Sequence, residues 1–286
     1  MMMHPKSFKT FIVDNAVGML WSQWVNLGAW SRAEQRVKCF TDPESAIAFS
    51  SYFCKYEKRL ERISLDWSKV NLQYINHSRL KRLRKAVADH IELPDNVYEV
   101  QAATTSSKYI TEPNARDMAN LLIRLRLIFG STTRADVIFH LLTRGSANSN
   151  QIATYRFLNQ KAVLLELEKL AKAGVLVEKR SARQRLFSVE RDFARLFEFE
   201  IQPISSPWFL LASLLMLEAC LRDELIDDEY LVFSAFMDHK RKLSDYLQKA
   251  GECNLTLSGS TAYEFYENVT EYYTCLCPVC ESINAR

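Results

Sequence analysis

Residues 134–189 read RADVIFHLLTRGSANSNQIATYRFLNQKAVLLELEKLAKAGVLVEKRSARQRLFSV. Val137, Ile138, Leu141 and Leu142 recur at helical intervals and mark one face of a helix. Gly145 ends it, because a helix C-terminus favours a residue that tolerates positive φ. Ile152, Tyr155 and Phe157 mark a short second helix. Asn159 is placed to cap a third, its short side chain accepting a bond from a free backbone N–H. Val163, Leu167 and Leu170 follow at four- and three-residue steps and form the buried seam of that third helix, which Gly174 closes. Val175, Leu176 and Val177 start a strand, and residues 186–189, LFSV, return as a second.

Three helices followed by a hairpin is the order of a winged helix-turn-helix. Between the two strands lies EKRSARQR, residues 178–185, with Lys179, Arg180, Arg183 and Arg185 against Glu178 alone. A basic tip between apolar strands suits a wing lying along a phosphate backbone, where each cation releases a condensed counterion. Residues 134–189 hold ten Lys and Arg and four Asp and Glu, a local charge of +6, so the remainder carries −3 of the chain's total of +3. Such local basicity is the expected electrostatic footprint of nucleic-acid binding.

The run QIATYRFLNQKAVLLELEKLAKAGVLVEKR with the following RLFSV resembles the winged-helix core of bacterial transcriptional regulators, whose third helix begins at a polar cap and ends in leucines, a glycine and apolar residues before the wing. Here that ending is Leu167, Leu170, Gly174, Val175 and Leu176, and the resemblance covers about a fifth of the chain. More loosely, the whole chain resembles uncharacterised bacterial proteins with helices on both sides of such a core. The regulator resemblance implies double-stranded DNA as partner, with Asn159, Gln160 and Lys161 presented to base edges and Lys179, Arg180, Arg183 and Arg185 to phosphate. The chain departs from the pattern just after the cap, where Leu164, Leu165, Glu166 and Glu168 are poor groups for reading bases or facing phosphate.

The flanks read as helical. With 286 residues, 48% hydrophobic and 25% charged, and only 7 Gly and 7 Pro, composition describes a mostly α, multi-helical globular chain. Three regions are expected: an N-terminal helical domain over 1–105, the winged-helix domain with its preceding linker and helix over 106–200, and a C-terminal helical domain over 201–286. Trp21, Trp24 and Trp30 are expected in a core. Thr41, Asp42, Pro43 and Glu44 read as a helix start, with Thr41 as cap and Glu44 completing a capping box. Residues 76–91, NHSRLKRLRKAVADHI, place Leu80, Leu83, Val87 and Ile91 on an apolar stripe beside Arg79, Lys81, Arg82, Arg84 and Lys85, which read as a solvated face. Residues 93–117 break the periodicity and read as a linker or an extended arm.

No run is long and apolar enough for a signal peptide or membrane span, so a cytoplasmic protein of bacterial style is expected, its 7 Cys as thiols. Cys277 and Cys280 have C-x-x-C spacing with Cys275 nearby and Cys253 as a possible fourth thiolate; incidental thiols are the favoured reading, since no second pair exists. His140 reads as a satisfied core or surface residue. No phosphate loop, hydrolytic motif or cofactor motif is found, so no enzyme and no cofactor are expected. Two readings follow. The first is a sequence-specific DNA-binding transcriptional regulator acting as a homodimer through its C-terminal helices. The second is a helical protein-interaction component of a bacterial complex in which the winged helix is structural.

Overall fold

A computed structural model describes residues 4–30, 39–91, 109–181, 184–197, 204–251 and 261–276. The described residues are mostly helical, with one two-stranded antiparallel hairpin. The N-terminal helices are α1 (Pro5–Asn26), α2 (Pro43–Phe53), α3 (Arg59–Val70) and α4 (His77–Ala88). Helix α5 (Leu121–Phe129) leads into the winged helix, formed by α6 (Thr133–Arg144), α7 (Ser149–Arg156), α8 (Gln160–Lys172), β1 (Leu176–Ser181) and β2 (Gln184–Val189). After the short α9 (Arg191–Ala194), the C-terminal helices are α10 (Ser206–Leu215), α11 (Glu229–Ala250) and α12 (Ala262–Leu276).

The winged helix follows its local signals closely. Gly145 and Gly174 take φ of +75° and +73° at the ends of α6 and α8, the left-handed region that a side chain resists. Asn148 and Gln151 form a reciprocal capping box on α7. Asn159 caps α8 by accepting from the Ala162 N–H at 3.1 Å. Val163, Leu167 and Leu170 point into an apolar cluster with Ile138, Leu141, Ile152 and Phe187. Leu176 pairs with Val189 and Ser181 with Gln184 in the wing. One pairing has no local signal: Ala147, between α6 and α7, exchanges backbone hydrogen bonds of 2.9 and 3.0 Å with Phe187. This short bridge fastens the wing to the helices.

A second apolar cluster joins the two ends of the chain. Phe8 of α1 stacks on Tyr266 of α12 with centroids 4.5 Å apart, and Phe236 of α11 lies 4.2 Å from Phe265. Trp24 and Trp67 are fully buried in the same cluster, where their indole N–H groups donate to Ser50 Oγ and the Leu27 carbonyl. Trp30 departs from the core expectation. It is 64% exposed and lies against Tyr109, because α1 ends at Asn26 and the chain has turned outward by that point.

The N-terminal helices and the winged helix meet through a buried charge network that the sequence reading did not anticipate. Arg79 of α4 bonds Asp42 through Nη2–Oδ2 at 2.5 Å and Nη1–Oδ1 at 2.7 Å, and Glu44 Oε2 at 2.6 Å. Arg126 of α5 takes both Glu44 oxygens at 2.8 and 2.9 Å. Arg156 of α7 bonds Asp42 at 3.2 Å and Asp136 of α6 at 2.6 Å. Three guanidiniums thus face three carboxylates, all buried. The charges balance, as ions removed from water require. Arg79 is therefore a core residue, not part of a solvated face, because α4 turns it toward the start of α2. The cap of α2 is likewise Asp42, which accepts from the Ser45 N–H at 3.1 Å, while Thr41 donates to the Ala119 carbonyl and Glu44 is taken by the arginines.

The turn between α7 and α8 also depends on neighbours. Phe157 has φ of +57°, a left-handed conformation that costs a non-glycine residue on the order of 1–3 kcal/mol. Its ring stacks on Trp208 of α10 at 4.8 Å, and the Trp208 indole N–H donates to the Tyr155 carbonyl at 3.0 Å. Packing from another part of the chain holds the strained turn in place.

Candidate nucleic-acid interface

The third helix, α8, packs on α6, α7 and β1. Gln160 and Lys161 stand exposed on its first turn. Asn159 is exposed beside them, but its Oδ1 is engaged in the cap. Further along, Leu164 is half-buried and Leu165 is 49% exposed, so neither is sealed under a neighbouring helix.

The two carboxylates that disturb the sequence pattern are both neutralised within the winged helix. Glu166 accepts from Arg134 at 2.8 Å and from Lys169 at 2.9 Å. Burial raises the Glu166 pKa, but these two cations outweigh it and hold the carboxyl low. Glu168 accepts from Arg185 Nη1 at 2.7 Å. The same Arg185 bonds Glu178 through Nε at 2.9 Å, and Arg180 bonds that Glu178 oxygen at 2.9 Å. The hydrogen bonds from Arg185 and Arg180 hold the Glu178 carboxyl at about 2. In return, Glu178 and then Glu168 keep Arg185 firmly protonated.

The four wing cations therefore have different standing. Lys179 is exposed and makes no ion pair among the described residues. The Arg180 side chain is 79% exposed and shares Glu178. Arg185 is half-buried against two carboxylates. Arg183 lies outside the described residues. Local sequence signals identified the cap, the exposed first turn and the basic hairpin. The clamp from Arg185 to Glu168 was not legible, because it joins a strand to a helix through a tertiary contact.

Among the described residues, no group of His, Cys, Asp and Glu side chains could hold a metal ion. Cys275 is exposed, whereas Cys253, Cys277 and Cys280 lie outside the described residues. Two carboxylates from the acidic run at 223–229 pair with lysines of α1, Asp223 with Lys9 and Asp227 with Lys6, and Asp228 caps α11. No described helix is long and apolar enough to cross a membrane. No protein-family model, curated protein or solved structure matches this chain.

Proposed function

We propose that this chain is a DNA-binding transcriptional regulator of the cytoplasm, which places the first turn of α8 in a major groove and its wing along the adjoining phosphates. The observation that carries this reading is the exposure of Gln160 and Lys161 on the first turn of α8, which packs on α6, α7 and β1. Gln can grip adenine through N6 and N7, and Lys can reach guanine O6 and N7. The neutralised Glu166 and Glu168 present no bare negative charge to a phosphate backbone. Two copies joined through the C-terminal helices would set two such helix starts one DNA turn, ~34 Å, apart. Tyr230, 77% exposed, and Met237, 43% exposed, lie seven residues apart on one face of α11 and offer an apolar surface for that contact.

A fluorescence-polarisation titration with upstream and random duplexes at two salt concentrations tests the reading. Binding that weakens steeply with salt and prefers a subset of duplexes is expected. Absence of binding at the lower salt rejects it. Sedimentation that shows a concentration-independent monomer rejects the dimer. Leu165, at 49% exposed on α8, favours the second reading, a protein-interaction component that docks a partner there. Under that reading Leu165→Glu abolishes partner capture and DNA titrations stay flat.

A further inference from the structure

Helix α7 ends in a turn that its own sequence disfavours. Phe157 takes φ of +57° and ψ of +46°, and it is the only non-glycine residue at positive φ among the described residues. Glycine ordinarily fills this place after a helix, because a Cβ there crowds the following carbonyl. Phe157 is also the joint between α7 and α8. Leu158 follows, Asn159 caps α8, and the exposed Gln160 and Lys161 come directly after the cap. The backbone angles at Phe157 thus set the direction in which α8 leaves α7.

Two distant helices grip this joint. The last two carbonyls of α7 belong to Tyr155 and Arg156, and the final carbonyls of a helix have no partner within it. The Trp208 indole N–H of α10 donates to the Tyr155 carbonyl at 3.0 Å, and Arg79 Nε of α4 donates to the Arg156 carbonyl at 2.8 Å. The Trp208 ring stacks on Phe157 with centroids 4.8 Å and planes 29° apart. Arg79 also serves the buried charge network, so Trp208 is the member of the grip that can be separated from it.

Trp208 is placed in turn by α11. Tyr246 lies 5.4 Å from its ring and the Lys249 ammonium 4.5 Å. The Tyr155 hydroxyl donates to the Lys249 carbonyl at 2.9 Å, and the Ser205 N–H at the start of α10 donates to the Ala250 carbonyl at 2.8 Å. The end of α11, the start of α10 and the end of α7 therefore form one continuous set of contacts.

We propose that Trp208 is a positioning residue for DNA reading: it holds Phe157 in the left-handed conformation, fixes the pose of α8, and so places duplex affinity under the control of α10 and α11. This rests on the DNA-binding reading. Trp208 is 5% exposed, so it acts through the turn rather than on DNA itself. Without its ring and N–H, residue 157 relaxes toward negative φ and α8 changes direction. Only molecules with the turn in place then bind, and apparent affinity falls by that fraction.

Phe157→Ala and Phe157→Gly in the full chain separate positioning from packing. Both lose the stack on Trp208, but only alanine keeps the bias against positive φ. Fluorescence polarisation with a preferred duplex should show Phe157→Gly binding about tenfold more tightly than Phe157→Ala. Trp208→Leu should weaken binding by a similar factor. Adding Phe157→Gly to it should restore most of the loss, which a merely structural core residue would not allow. If Trp208→Leu misfolds, the Phe157 pair still decides. Hydrogen exchange gives a readout without DNA. The Leu158 amide, bonded to the Ala153 carbonyl at 2.9 Å, should exchange about tenfold faster in Phe157→Ala and Trp208→Leu than in Phe157→Gly. Flat titrations of the unaltered protein reject the DNA reading, while the exchange rates still decide whether Trp208 holds the turn. Equal exchange in the two Phe157 variants, or equal duplex affinity where the unaltered protein binds, overturns the proposal.

Discussion

Arg185 on the second wing strand and Glu168 on α8 form an ion pair of 2.7 Å that ties the wing to the third helix. Arg185 also bonds Glu178, so its charge is already spent within the protein. Counterion release depends on cations that neutralise phosphate, and each phosphate contact contributes ~0.9 to the slope of log K against log salt. Lys179→Ala should therefore flatten that slope by ~0.9, and Arg185→Ala by clearly less. Glu168→Gln removes one carboxylate from the phosphate-facing side and releases Arg185 Nη1, while Glu178 still holds Nε and Nη2, so it should raise affinity for all duplexes alike. Equal slope changes for Lys179 and Arg185 would contradict this ranking.

Base readout is expected from Gln160. Each good base contact gives about 1–3 kcal/mol of discrimination. Gln160→Ala should lower affinity for a preferred duplex by that amount and scarcely alter binding to random DNA. Lys161→Ala should weaken both, since a lysine on the first turn also meets phosphate. Selection from a random pool checks this: an unchanged preference at every base in the Gln160 variant assigns readout elsewhere.

The buried network sets a stability prediction. Removing one member of a buried ion cluster leaves an unpaired charge and typically costs about 3–5 kcal/mol. Arg79 bonds both Asp42 and Glu44 and is fully buried, so Arg79→Met should destabilise by about that amount in urea unfolding. Lys81→Met, on the exposed side of α4, should change stability by less than about 0.5 kcal/mol. Similar midpoints for the two variants would show that the cluster contributes little.

Acid should destabilise the fold in two stages. Burial, followed by Arg156 and Arg144, lowers His140 to about 3 from an ordinary 6.5, so the unfolded chain takes its proton first. The stability linked to neutral His140 is complete above pH 6.5 and declines as pH falls through that value toward about 3, by up to ~1.4 kcal/mol per pH unit. The half-buried His90, lowered to about 4 chiefly by burial and Lys242, adds in the same direction. Asp42 follows: burial raises it, but Arg79 and Arg156 outweigh that and hold it at about 2, so its contribution persists above about pH 3.8 and is lost below. His140→Phe should remove part of the upper stage in urea midpoints measured from pH 7.5 to 4.5. A flat profile across that range in the unaltered protein would contradict the assignment.

The winged helix was legible because its signals are local. A cap, a glycine at positive φ and a three- or four-residue apolar period act within one or two turns, and Asn159, Gly145, Gly174 and the seam Val163, Leu167 and Leu170 sit where those rules put them. The basic character of residues 178–185 was equally plain, since charge is additive along the chain. Contacts between distant segments were not legible. Arg79 looked like one more cation in a basic run until α4 carried it against Asp42 and Glu44, 37 and 35 residues away. The clamp from Arg185 to Glu168, the Ala147 bridge to Phe187 and the grip of Arg79 and Trp208 on the end of α7 arise in the same way. Sequence alone determined which elements form, because backbone preference and side-chain period are near-neighbour properties; tertiary structure decided which polar groups are spent on one another and which are left to meet something else.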